Sequence, residues 1–370
     1  MNEMFAPVKL LLKPKKENSF NFTFNLHTKY TVVIMVACSL LLCAQFAREP
    51  ITCLPGSKLL QEKMMDAFCW VNGTFTLPEV WLSKDGSVAP GVGITYQDAP
   101  KKYQYYYQWL SIILLVQACL FYLPRYVWKM WEGHVLESLL PAADNPSNAD
   151  AKVESASEPV NNNQSCGSKT PPYSPQLVKF FLYNSYRRKA FMSKFLICEL
   201  LNVTNVIAQL LLINYIFSDC FLLYGYNVIR FFFSSDQREF YISPMDEIFP
   251  KLAKCTFHKF GPSGTVEVVD SLCLLGWNII FEKIYFMIWW LFVVLMFFST
   301  ANWLVRILTL CSRKFRVYVL KNVAFFTRTS TLEKIARKAN FSDIFILCKV
   351  AKQMKQEAFE NLLEELSRKL

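Results

Sequence analysis

Residues 284–305 read "IYFMIWWLFVVLMFFSTANWLV", held between Lys283 and Arg306 without one charged side chain. A helix rises 1.5 Å per residue, so about 20 apolar residues cross the roughly 30 Å of bilayer hydrocarbon. This run is long enough to span. Three more stretches behave alike. "YTVVIMVACSLLLCAQFA" lies between Lys29 and Arg48, "YQYYYQWLSIILLVQACLFYLP" between Lys102 and Arg125, and Leu200 to Ser218 follows a basic cluster at Arg187, Arg188, Lys189 and Lys194. The composition agrees: 53% of the 370 residues are hydrophobic and 16% aromatic, too apolar for an ordinary soluble domain. Only helices or closed barrels satisfy their backbone in lipid, and these runs lack barrel alternation. The chain therefore reads as an all-α membrane protein, a four-transmembrane-helix bundle.

The first run begins about 30 residues in, exceeds the usual 7–15-residue core of a signal peptide, and has no small-residue cleavage site, so it reads as a retained span. Orientation follows the Lys and Arg bias. With both termini cytoplasmic, the inner segments hold 28 of the 40 basic residues. The net charge of +11 is then a matter of topology and a basic inner face, not a nucleic-acid footprint. The predicted order is a cytoplasmic segment (1–28), a span (29–47), an extracellular loop (48–104), a span (105–127), a cytoplasmic loop (128–194), a span (195–218), an extracellular loop (219–283), a span (284–306) and a helical cytoplasmic tail (307–370).

The connections differ in character. From Pro141 to Pro175 the inner loop is rich in Pro, Asn, Ser and Ala, and reads as disordered. In the tail, Ser330 and Glu333 have the spacing of a capping box. Ile344, Leu347, Ala351, Met354, Ala358 and Leu362 then recur at helical spacing, with an opposite face that mixes both signs of charge, so packing against other cytoplasmic helices is expected.

Twelve cysteines sort by compartment. Cys53 and Cys69 fall in the first outer loop and Cys255 and Cys273 in the second, where oxidation is permitted, so two bridges are expected; four cysteines allow three connectivities. Enzymatic chemistry has little to draw on. The three histidines, His27, His134 and His258, are scattered, and there is no phosphate-binding glycine loop and no CxxC, so neither a cofactor nor a metal is expected. A transporter would want mid-membrane polar groups, and Asn202, Asn205 and Gln209 lie at helical spacing beyond Glu199; such amides more often hold helices together. A four-span scaffold would carry a tetraspanin "CCG" or a claudin "W…GLW…C…C", and both are missing.

Tyr105 to Trp109, "YYYQW", alone would be an interfacial aromatic belt. Its company is more specific. "REPITC" (Arg48 to Cys53) follows the first span, "YYQW" (Tyr106, Tyr107, Gln108, Trp109) opens the second, and "FYLPRYVWKMWEG" (Phe121 to Gly133) closes it. "DSLCLLGWNIIFEKIY" (Asp270 to Tyr285) leads into the fourth, and "FSDIFILCKVAKQM" (Phe341 to Met354) lies in the tail. In this order they resemble the innexins, the invertebrate gap-junction proteins. The sequence departs from the family pattern in its proline-rich inner loop, in His134 where "WEGG" is usual, and in an "NGT" at Asn72.

The resemblance implies a subunit of a large-pore channel in the plasma membrane. On that resemblance eight such subunits would form a ring around an aqueous pore, and two rings would dock through their outer loops to join adjoining cells or a single ring would work as an unpaired hemichannel; the partners are then other innexin subunits and the bilayer. It also implies the nested pairing of Cys53 with Cys273 and Cys69 with Cys255, and an amino-terminal segment folded into the pore mouth. There Lys9, Lys13, Lys15 and Lys16 would favour anions, or contact anionic headgroups. Pro124, fourth residue of "FYLPRYVW", lacks a backbone donor and should bend the second helix. Asn72 is the one N-glycosylation acceptor that the topology exposes; Asn21, Asn163 and Asn340 fall on the cytosolic side and Asn202 in a span.

Overall fold

The computed structural model describes residues 20–47, 51–54, 62–81, 87–94, 100–133, 175–233, 243–261, 263–325 and 327–369. Among them are four helices long and apolar enough to cross a membrane: Phe22–Phe46, Leu110–Glu132, Ser185–Ile216 and Asn278–Cys311. The helices do not stop where the charge-free runs stop. Intrahelical hydrogen bonds continue at no cost beyond the hydrocarbon, so the third begins ten residues before the predicted 195 and takes in Arg187, Arg188 and Lys189. The first carries a π-helical turn at Leu26–Tyr30, after which the Thr31 hydroxyl donates to the Leu26 carbonyl at 2.8 Å. The second runs unbroken through Pro124.

The chain divides into two compact units, with the four helices contributing to both. The unit of Leu26–Tyr122 and Val203–Phe297 has a core in which Met35, Leu42, Leu114, Phe121, Ile213 and Phe292 are buried. Within it the Ser39 hydroxyl donates to the Ser111 carbonyl at 2.7 Å, so a polar group inside an apolar span finds a backbone partner. Asn205 and Gln209, one turn apart in the third span, bond to each other at 3.2 Å.

The loops of this unit build a sheet that the sequence did not announce. Strands β1 (Thr52–Leu54), β2 (Thr74–Thr76), β3 (Ser87–Ala89), β4 (Val92–Gly93), β5 (Lys102–Gln104), β6 (Leu252–Phe260) and β7 (Val266–Leu274) follow in chain order. Five of them form one antiparallel sheet in the order β1-β7-β6-β2-β5, and β3 and β4 pair separately. The long hairpin β6–β7 turns at Gly264, whose φ of +78° favours glycine. Each of the other strands has at most three residues, too short for alternation to register as a signal. Both loops thus feed a single sheet: β1, β2 and β5 come from the first, β6 and β7 from the second.

The second unit comprises Leu123–Asn202, Phe298–Leu370 and the few described residues before Leu26. Its core holds Trp128, Leu177, Phe195, Leu320, Ile344 and Leu362. Helices Pro175–Tyr183, Arg313–Lys321, Thr329–Lys338, Phe341–Ala351 and Gln356–Lys369 supply most of it. Two expectations are corrected here. The capping box is not at Ser330 and Glu333, because that helix starts one residue earlier and Ser330 lies inside its first turn. It is at Asn340 and Asp343, where the Asp343 carboxylate accepts from the Asn340 backbone N–H at 2.9 Å. The tail stripe is not one helix either: the chain leaves helical geometry at 352–355, and the stripe is shared between two helices. Lys9, Lys13, Lys15, Lys16, His134 and the stretch 141–174 lie outside the described residues.

Candidate functional site

The bridged loops are where the site residues of the first unit meet. β1 pairs with β7 so that Cys53 stands opposite Cys273, and their sulfurs are bonded. The second bridge leaves the sheet. Cys69 sits near the end of helix Glu62–Asn72 and bonds to Cys255 on β6, so it pins that helix onto the strand. Asp66, one turn before Cys69, accepts the Cys53 backbone N–H at 2.6 Å, and the Ser271 hydroxyl donates to the Cys255 carbonyl at 3.1 Å. All four cysteines are buried. Their sulfurs are spent on these bridges, so the close grouping of Cys53, Cys69 and Cys273 is not a metal centre.

The aromatic signature is the clasp that seats this loop structure on the spans. Tyr106 accepts a hydrogen bond from the Asn278 amide at 3.1 Å, and its ring meets Phe217 and Phe249 edge-on. Burial pushes its phenol well above the usual tyrosine value. Tyr107 packs 4.7 Å from the Trp70 ring and donates to the Cys69 carbonyl at 3.4 Å, beside the second bridge; burial pushes its phenol up to about 12. The Gln108 amide donates to the Trp70 carbonyl. Trp109 alone is exposed, as an interfacial belt residue would be. Tyr105, outside the signature, lies against Gly73, where φ is +84° and an added Cβ would stand 2.4 Å from the Tyr105 ring. The belt reading therefore fits Trp109, and Tyr106, Tyr107 and Gln108 are structural anchors. Asn72, just before that glycine, is exposed.

In the second unit, charged contacts join the ring contacts of Trp128 and Phe345 with Phe195. Glu199 accepts from Arg306 at 3.1 Å and from the Asn21 amide at 3.1 Å. Arg188 donates to Asp343 at 2.6 Å and to the Phe180 carbonyl at 2.6 Å. Arg125, next to Pro124, donates to the Asn25 side chain at 3.1 Å and covers the Phe20 ring. Sequence reading singled out Glu199 and missed Asp343 and Asn278. The signal for Asp343 was its place three residues beyond Asn340, and for Asn278 its place at the head of an apolar helix.

Both halves of this arrangement, the twice-bridged loops behind an aromatic clasp and the helical tail, belong to the part of the chain that a family comparison covers. The innexin family model matches residues 20–370. The chain belongs to the innexin family. It is 35% identical to "Innexin inx2" of Drosophila melanogaster, over all of this chain and 96% of that protein. It is 36% identical to "Innexin inx2" of Schistocerca americana, over all of this chain and 98% of that protein. Against "Innexin shaking-B" of Drosophila melanogaster it is 31% identical, over all of this chain and 95% of the relative. Innexins form gap-junction channels, so this innexin is a channel protein with four spans, and the Cys53–Cys273 and Cys69–Cys255 bridges join its two loops.

Proposed function

We propose that this innexin assembles with copies of itself or other innexin subunits into a ring of eight around an aqueous pore, with both termini in the cytoplasm. Two such rings dock through the bridged loops and pass ions and small molecules passively between adjoining cells. The observation that carries this reading is the pair of bridges between the two loops. They hold β1, β6, β7 and helix Glu62–Asn72 as one rigid block, which is what a surface needs if it is to meet its counterpart without losing loop entropy on contact. The excess of basic residues in the segments assigned to the inside supports the orientation. A bend at Pro124 gives the second span a fixed angle, and the amino-terminal lysines bias the pore mouth toward anions.

Asn72 favours a second reading, the unpaired hemichannel. Its side chain is exposed on the block that would dock, and a glycan there would keep two rings apart. Paired cells expressing the chain decide between the two. Junctional conductance together with eight-fold rings in images of the purified particle supports the first; single-membrane current with no junctional conductance supports the second. Monomers or small closed oligomers would sink both.

A further inference from the structure

The first described residues of the chain, Phe20 to Asn25, read "FNFTFN", and each of the other three spans holds them. From the second span, Arg125 covers the Phe20 ring and donates to the Asn25 side chain. From the third, the Glu199 carboxylate accepts the Asn21 amide, and the Phe195 ring lies 5.6 Å from that of Phe24. From the fourth, Phe298 meets Phe22 edge-on. Asn21 and Asn25 stand one turn apart, with the Asn25 N–H on the Asn21 carbonyl at 3.0 Å, so both polar contacts are made from one side of the first helix.

The tail reaches the same place by two routes. Phe345, on helix Phe341–Ala351, lies 5.3 Å from the Phe195 ring that also meets Phe24. It also lies under the Arg306 guanidinium at 4.8 Å, and Arg306 is the ion-pair partner of Glu199. Both donors to Glu199 end on the same oxygen, Oε1, so a shift of Arg306 disturbs the acceptor that Asn21 uses. Phe195, Glu199 and Phe345 are all buried. A close-packed interior has little room to absorb a displacement, so it passes the displacement on.

We propose that the tail helix Phe341–Ala351 fixes where the first helix begins, with Phe345 as the positioning residue and with Phe195 and the Arg306–Glu199 pair as its links to Phe24 and Asn21. The consequence for conduction rests on the reading that the amino-terminal segment enters the pore mouth. Residues 20–25 are then the fixed end from which that segment extends, and loosening the tail changes the mouth.

Hydrogen–deuterium exchange of the full-length protein in detergent reads the hold directly, at the amides of residues 21–30. Phe345→Ala should speed exchange there about two- to ten-fold, the range that the loss of one ring contact gives. Phe345→Leu, which keeps most of the volume and loses the ring, should do the same and serves if the alanine variant does not fold. Phe359→Ala removes an equally buried ring from helix Gln356–Lys369 and should leave these amides unchanged. Equal acceleration by Phe359→Ala would mean that the tail acts only through its overall stability, and would overturn the proposal. Phe345→Ala combined with Asn21→Ala should speed exchange by less than the product of the two separate factors; a combined factor equal to the product would overturn the relay. Single-membrane currents form the second arm. Faster exchange with a shifted voltage dependence supports the hold and its role in conduction. Faster exchange with unaltered current supports the hold and overturns the pore-mouth reading, whereas unchanged exchange overturns the hold whatever the currents do.

Discussion

The Asn278 amide donates at 3.1 Å to the phenol of Tyr106, tying the first residue of the fourth span to the turn that opens the second. The same nitrogen also bonds to the Pro250 carbonyl, so a single buried side chain joins two spans and a loop. Tyr106→Phe strands one amide hydrogen and should destabilise by about 1–2 kcal/mol. Asn278→Ala strands the Pro250 carbonyl and the phenol together and should cost more than Tyr106→Phe. Melting followed by size-exclusion chromatography in detergent ranks the two, and the reverse ranking would refute this account.

Replacing either cystine by two serines should cost about 4 kcal/mol in the chain-entropy model, and replacing both about 9. One bridge alone already closes a loop of 220 or 186 residues. The second then adds only the short segments between neighbouring cysteines, so the first loss is the smaller one. Melting of the two single-cystine variants and the variant lacking both checks this. Non-reducing peptide maps should join Cys53 to Cys273, and a Cys53–Cys69 peptide would contradict the pairing.

Arg188 and Asp343 are both nearly buried, with side chains 6% and 12% exposed. Asp343→Ala leaves the guanidinium without its counter-charge and also removes the cap of helix Phe341–Ala351. The loss should be about 3–5 kcal/mol. Arg188→Met combined with Asp343→Leu should recover a large part of it. A double variant no better than Asp343→Ala in thermal melting would show that the cap, not the charge, carries the effect.

Lys349, in the same helix, lies 3.9 Å over the Phe195 ring, and burial, followed by the nearby Arg306 charge, lowers its ammonium well below the ordinary value of 10.5. The unfolded chain therefore binds the proton more tightly than the folded one between those two values. Stability should rise with pH through that window, and Lys349→Met should be more stable than the native protein at neutral pH and flat where the native curve climbs. Melting temperatures across pH 7 to 10 provide the comparison; a native curve as flat as that of the variant would remove the basis for it.

Asn72→Gln should abolish any glycosidase-sensitive shift of the mature protein on a gel. Thr74 of the acceptor tripeptide is fully buried, so a glycan must be added before the loop folds. If the glycan blocks docking, the substitution should raise junctional conductance and leave single-membrane current unchanged; equal junctional conductance before and after would remove support for the hemichannel reading.

The spans were legible because hydrocarbon imposes one simple demand, and runs such as 284–305 meet it in plain view. The bridge pairing was legible only through the resemblance, since four cysteines by themselves allow three connectivities. The sheet was hidden for a physical reason: β1, β2 and β5 have three residues apiece, and β1 and β2 find β7 and β6 in a loop far along the chain, where no local pattern reaches. Asp343 and Asn278 were hidden differently. Each is an ordinary residue at a helix start until Arg188 or Tyr106 comes from far away to meet it.

The two cystines also make the covalent graph of this molecule a closed circuit. They connect residues before the second span to residues after the third, and the whole segment 134–174 lies on the arc between. A protease that nicks that arc once leaves both fragments joined by sulfur, so the cut molecule keeps its mass until a reductant is added. The two pieces can also be encoded separately and stitched together by oxidation.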